Sequence, residues 1–188
     1  MRIGLPLLLL LAACPEQSGL QCPANTNIIG QYSLSFAALH DAGNECLVDA
    51  GPNQDAGRLT VENLAPKSAS LCAGTWPDGG IQLNLMVPGK GSGARTSDLL
   101  PDGGFHFSSD VDGGQPGTAC VCDVLIHETL DGYLLSGGSF QLRPDGGLPV
   151  ITGLTGILTD LVFDAGSATA CQCSFPCTAT YSIAGAPF

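Results

Sequence analysis

Apolar and polar side chains alternate along several stretches of this chain with a period of two. In residues 28–36, Ile-Ile-Gly-Gln-Tyr-Ser-Leu-Ser-Phe, the side chains of Tyr32, Leu34 and Phe36 fall on one face and those of Gln31, Ser33 and Ser35 on the other. Successive side chains of a strand point to opposite faces, so this spacing predicts a strand with one face in a core and one in water. Residues 81–87, Ile-Gln-Leu-Asn-Leu-Met-Val, repeat the pattern, and Phe105-His106-Phe107 is a shorter version. Further on, Cys120, Cys122, Val124 and Ile126 share a face, Phe140 and Leu142 oppose Gln141 and Arg143, and residues 158–163 are more continuously apolar. In the last segment Cys171, Cys173, Phe175, Cys177, Ala179, Tyr181 and Ile183 share one face, with Pro176 placed to break or bulge the strand.

Between these runs stand acidic turn signals. Asp-Gly-Gly begins at 78, 102, 112 and 145, and Asp-Ala-Gly at 41, 49, 55 and 164. Asp hydrogen-bonds the backbone two residues on and Gly accepts a positive φ, so each triplet is a place where the chain can reverse. Their irregular spacing excludes a solenoid repeat. Beyond the first residues no helical period emerges, and glycine is too frequent for a long helix. Eight or nine strands joined by short turns predict an all-β fold, either an antiparallel up-and-down barrel or a β-sandwich. Tyr32, Leu34, Phe36, Leu83, Leu85, Phe140, Tyr181 and Ile183 are the expected inward residues. They interdigitate in a packed core, or line a cavity if a barrel is wide.

The first fourteen residues follow another rule. Arg2 precedes an apolar run from Ile3 to Leu11, then Ala12, Ala13 and Cys14, after which the sequence turns polar. A membrane-spanning helix needs roughly 20 apolar residues, so the run reads as an export signal. Leu11-Ala12-Ala13-Cys14 resembles a bacterial lipobox. That resemblance implies cleavage before Cys14, which then carries diacylglycerol and an N-acyl chain, and Pro15 in place of Asp favours the outer membrane. The expected organisation is a signal at 1–13, a lipidated N-terminus and short linker at 14–27, and one all-β domain at 28–188.

Charge narrows the partners. The 188-residue chain carries 6 Lys and Arg against 17 Asp and Glu, and beyond the signal the balance is 5 minus 17, or −12. With no basic cluster, nucleic acid and anionic membrane surfaces are disfavoured as electrostatic partners. The lipid anchor is the expected link to a membrane, with an envelope protein or a small apolar ligand as the other candidate partner. No further cofactor is expected.

Nine cysteines less the lipidated Cys14 leave Cys22, Cys46, Cys72, Cys120, Cys122, Cys171, Cys173 and Cys177. In an exported chain this even number reads as four disulfides, with the pairing left open. The pairs Cys120/Cys122 and Cys171/Cys173 also raise a four-cysteine metal site as an alternative, although an oxidising compartment favours bridges over thiolates. Neither Cys-x-Cys pair has the geometry to close on itself. A redox motif of two cysteines separated by two residues is missing from the sequence.

Other chemistry is thin. His127-Glu128-Thr129-Leu130-Asp131 has Asp where a zinc-protease motif needs its second His, and reads as an exposed polar strand end. Gly137-Gly138-Ser139-Phe140-Gln141 departs from the nucleophile-elbow pattern at its last position. No spacing ties His40, His106 or His127 to a nucleophile. Asp110-Val111-Asp112 on a glycine turn is a loose Ca²⁺ candidate lacking the distal Glu of an EF-hand loop. Trp76, the single tryptophan, is expected in the core or at a rim.

Gly30-x-Tyr32 is similar to the Gly-x-Trp start of lipocalins, with Tyr in the Trp position. The chain as a whole resembles the Gly- and Asp-rich lipoproteins of myxobacteria, which implies an exported β domain and no particular activity. The sequence therefore predicts a non-catalytic, lipid-anchored envelope protein with a structural or interaction role. A lipocalin-like small-molecule binder is the alternative, and an envelope hydrolase a distant third.

Overall fold

The computed structural model describes residues 21–39, 46–48, 57–58, 64–87, 95–114, 122–138, 140, 148–166, 173 and 175–188. Ten strands follow in order: β1 (Thr26–Leu39), β2 (Leu47–Val48), β3 (Gly57–Arg58), β4 (Lys67–Thr75), β5 (Ile81–Met86), β6 (Arg95–Asp98), β7 (Gly104–Gly114), β8 (Val124–Ser136), β9 (Ile151–Asp164) and β10 (Cys177–Pro187). Among the described residues β2 and β3 pair with each other in a separate two-stranded sheet. The other eight form one antiparallel sheet in the order β6-β5-β4-β1-β10-β9-β8-β7. Its outer strands β6 and β7 come back together, and the His106 N–H donates to Ser97 Oγ at 2.9 Å across the seam. The result is a nearly closed up-and-down barrel, in which the first and last strands lie side by side.

The predicted alternation selects the barrel interior. Tyr32, Leu34, Leu83, Leu85, Tyr181 and Ile183 are buried, joined by Leu71, Phe105, Phe107, Leu130, Leu154 and Leu158. Phe36 and Phe140 pack against this core half-buried. Each such side chain removed from water contributes about 1.5–3 kcal/mol. A second cluster, comprising Cys46, Cys122, Val124, Ile126, Val162, Cys173 and Cys177, lies nearer one end.

The sandwich alternative fails because one sheet curls around one core. Small residues at inward positions permit that curvature. Gly132 and Gly156 face each other across β8 and β9. A Cβ on Gly132 would stand 2.3 Å from the Thr155 carbonyl oxygen and 2.7 Å from the Phe105 ring. The close approach of the two backbones therefore requires glycine.

The pairing registers define two ends. At the lower end sit the β4–β5 turn, the β6–β7 turn and the β8–β9 connection, and at the upper end the connections that follow β1, β5, β7 and β9. Three acidic triplets turn the chain as predicted. Asp78, Asp102 and Asp164 each accept a hydrogen bond, at 3.1, 2.9 and 2.9 Å, from the amide two residues on. Gly79, Gly103 and Gly166 take φ of 91°, 88° and 80°.

A disulfide fastens each end. Cys22 is bonded to Cys72 at the lower end and Cys46 to Cys177 at the upper, across separations of 50 and 131 residues. Cys122 and Cys173 are also disulfide-bonded. Cys14, Cys120 and Cys171 lie outside the described residues, as do the triplets at 41, 49 and 145.

Several expectations need correction. The Asp112 triplet does not turn the chain but lies within β7, where the ladder absorbs it as a bulge opposite Val124. Cys122 precedes β8 in a bend, and the last strand begins at Cys177, after Pro176. Phe140 sits in a bend rather than a strand, its ring laid over Gly103, where a Cβ would be 2.2 Å away. β4 and β6 were not anticipated: Ser-Ala-Ser-Leu-Cys-Ala-Gly offers too little contrast between its faces, and Arg95 and Ser97 place polar groups inward.

Candidate functional site

The inward face of the barrel contains a layer of charge. On β8 the inward series runs Val124, Ile126, Glu128, Leu130, and on β9 it runs Leu158, Asp160, Val162. Glu128 and Asp160 occupy directly opposed positions of the ladder. Arg95 reaches the same level from β6, and its Nε donates to Glu128 Oε1. All three side chains are buried. Lys67, the first residue of β4, completes the layer, with Nζ 5.1 Å from the centre of the Phe36 ring, a cation–π geometry. Burial pushes the Lys67 ammonium below the usual lysine range, while Glu128 and Asp160 pull it back up and Arg95 lowers it.

The layer balances two cations against two carboxylates. It lies between the main core below and the Val124–Ile126–Val162 cluster above. A cavity of ≈ 20 Å³ opens beside it, walled by Leu34, Phe36, Leu85, Leu130, Leu158 and Ile183 and edged by Lys67, Arg95 and Glu128. That volume holds a water or two. Paired carboxylates are the raw material of acid–base catalysis, and here Glu128 is engaged by Arg95 beside this small cavity.

The motif His127–Asp131 is split by the pleat. It lies in the middle of β8, not at an exposed strand end, because Gly132 continues the strand against Gly156. Glu128 points inward, whereas His127 and Asp131 point outward. Outside, His127 Nδ1 lies 2.7 Å from Asp110 Oδ1, and His106 Nδ1 lies 2.6 Å from Asp131 Oδ1. Both are exposed cross-strand pairs, which contribute little to stability. No serine, threonine or cysteine of the described residues is hydrogen-bonded to either ring. His40 and Ser139 lie outside the described residues.

Asp110 and Asp112 stand on a strand, which removes the loop premise of the Ca²⁺ reading. Among the described residues no three His, Cys, Asp or Glu side chains gather as metal ligands. The four-cysteine metal alternative is overturned because Cys122 and Cys173 are in disulfides and offer no thiolate. Trp76 is at a rim, half-buried at the lower end, its Nε1 donating to Asp98 Oδ1 at 2.6 Å.

Tyr32 is fully buried, and its hydroxyl has no hydrogen-bond partner among the described residues. Burial alone pushes its phenol above the usual tyrosine range.

The four charged residues were missed in the sequence because their positions were read singly. A charge at an even position within an apolar face, as in Ile126-x-Glu128-x-Leu130 and Leu158-x-Asp160-x-Val162, is the available signal. Two such acidic positions call for buried cations elsewhere.

No family model matches the chain, and no curated protein or solved structure matches it either. The class of the protein therefore rests on its architecture: an all-β, disulfide-bridged, nearly closed antiparallel barrel of eight strands.

Proposed function

We propose that the protein is a lipid-anchored cell-envelope protein, held in the outer membrane through acylated Cys14, with a structural or interaction role and no catalysis. The observation that carries this reading is the filled interior. Among the described residues, apolar side chains and a balanced ionic layer occupy the barrel, and the cavity beside that layer is ≈ 20 Å³. Disulfides at both ends of the barrel suit an exported chain, since an oxidising compartment is where such bridges persist. The outward positions at mid-height of β7 and β8, namely His106, Ser108, Asp110, His127, Thr129 and Asp131, are polar. A lipid-spanning barrel presents an apolar band there, so these positions favour a domain displayed on an anchor.

A second reading draws on the same cavity. Its edge at Lys67 suits a small apolar ligand with a polar head, in the manner of a lipocalin-like binder, provided the side chains around it part to enlarge it. Intact-mass spectrometry of the protein gently extracted from the membranes of the cells that make it separates the two. The expected spectrum shows acyl chains on Cys14 and no additional mass. A reproducible extra mass released by denaturation would replace the structural reading with the binding one.

A further inference from the structure

The lower end of the barrel is where the described chain begins, and it carries exposed apolar side chains. Cys22 is bonded there to Cys72, whose partner in the ladder is Ile28. Among the described residues, Ile28, Leu100, Tyr133, Val150 and Phe188 are each more than half exposed, and all five lie at this end. Among the described residues of the upper end Leu125 is as exposed. Leu100 and Tyr133 converge, both lying within 4 Å of the place where a Cβ on Gly104 would sit. Tyrosine at an apolar rim matches the composition of protein surfaces at the membrane–water boundary.

Chain length then restricts how the barrel can sit. Cys22 lies eight positions after Cys14, so the tether spans at most about 28 Å when fully extended. A 14-residue strand such as β1 is about 46 Å long, and tilted by about 40° it gives a barrel about 35 Å tall. Cys22 is held level with Ile28, so about 28 Å of that height lies above the tether's root; turning the upper end to the bilayer that holds Cys14 needs the tether at full stretch, whereas the lower end sits there with it slack.

We propose that the lower end, with its rim of Ile28, Leu100, Tyr133, Val150 and Phe188, rests on the zwitterionic lipid headgroups around the anchor, with the upper mouth turned away. This rests on the lipid-anchor reading above. Asp78, Asp98 and Asp102 occupy the same end, and anionic lipids repel them.

Trp76, in the β4–β5 turn, is a built-in probe of this end. The full-length protein, its Cys14 acylation checked by intact mass, is placed in phosphatidylcholine vesicles whose acyl chains are brominated near the headgroup. Trp76 emission should fall at least twofold relative to unbrominated vesicles, and less when a third of the lipid is phosphatidylglycerol. Moving the probe to the upper end, with Trp76→Phe and Leu125→Trp, should abolish the quenching. If that variant fails to fold, hydrogen exchange on the unaltered protein reads the same contrast, slowing on vesicles at residues 99–103 and staying unchanged at Val124. An acylated protein with unquenched Trp76, or with equal quenching at both ends, overturns the proposal. An unquenched Trp76 together with a dimeric mass overturns it by giving the rim to a second copy of the chain. A mass without acyl chains overturns the anchor reading first, and the orientation with it.

Discussion

Replacing Glu128 by Gln leaves the side-chain volume nearly unchanged and removes one charge from the interior. In the native barrel Arg95, buried, donates to Glu128, and the layer holds two cations against two carboxylates. After the substitution Arg95 and Lys67 share Asp160 alone. Breaking a buried pair by removing one partner costs about 3–5 kcal/mol. Asp160 takes up part of the lost attraction, which places Glu128→Gln near the lower value, about 3 kcal/mol. The reverse change, Arg95→Met, costs more, because Glu128 and Asp160 face each other across the β8–β9 ladder and only Lys67 remains to separate them. One of the two carboxylates then has to take up a proton, so this variant should recover stability as the pH falls. The double variant Arg95→Met, Glu128→Leu keeps the Lys67–Asp160 balance and should lie within about 1 kcal/mol of the unaltered protein. Urea unfolding followed by Trp76 fluorescence, with disulfides intact, measures all three. In a domain of this size 3 kcal/mol corresponds to roughly 6–12 °C in Tm. Single losses below about 1 kcal/mol, or a double variant equal to the sum of the singles, would refute the argument that the layer acts as a unit.

Two other outcomes follow from the same structure. Replacing Cys46 and Cys177 by Ser frees the 131-residue span that they close, and should cost about 2–5 kcal/mol by restoring freedom to the unfolded chain; a change under 1 kcal/mol in urea would show that the unfolded chain is constrained by other means. Tyr32→Phe removes a buried hydroxyl and should raise stability by about 1 kcal/mol. The raised phenol of Tyr32 also makes its contribution complete below pH 10 and lost as the pH climbs through the folded-state value, so the variant should lack that alkaline loss. If both proteins lose stability equally between pH 9 and 11, Tyr32 is not the group responsible.

Lys67 titrates in the opposite sense. Its folded-state value is lowered, so the folded protein holds fewer protons than the unfolded chain between that value and 10.5. Stability therefore rises with pH across this window. The two effects separate because Lys67 acts below the ordinary lysine range and Tyr32 above the ordinary tyrosine range.

The fold class was legible because side-chain direction in a strand is set locally. Tyr32, Leu34, Leu83, Leu85, Tyr181 and Ile183 were assigned inward from a period of two, and all are buried. The turns at Asp78, Asp102 and Asp164 were equally local, since an Asp and the amide two residues on close the hydrogen bond without help from the rest of the chain. Asp112 shows the limit of that rule. Its triplet has the same residues, but β8 lies alongside and the ladder holds the chain straight through it.

Barrel closure and the ionic layer depended on contacts distant in sequence. Nothing within β8 distinguishes Glu128 from a solvated strand residue, and its buried state is tolerable only because Arg95 arrives from β6 and Lys67 from β4. Likewise Cys46 could have paired with any of several thiols until the β1–β10 pairing brought the upper ends together. Alternation and turns are properties of a few neighbouring residues, and the sequence determined them alone. Which charges meet inside, which cysteines join and which exposed apolar side chains gather at the lower end are set by strand order and register, and only the tertiary structure decided them.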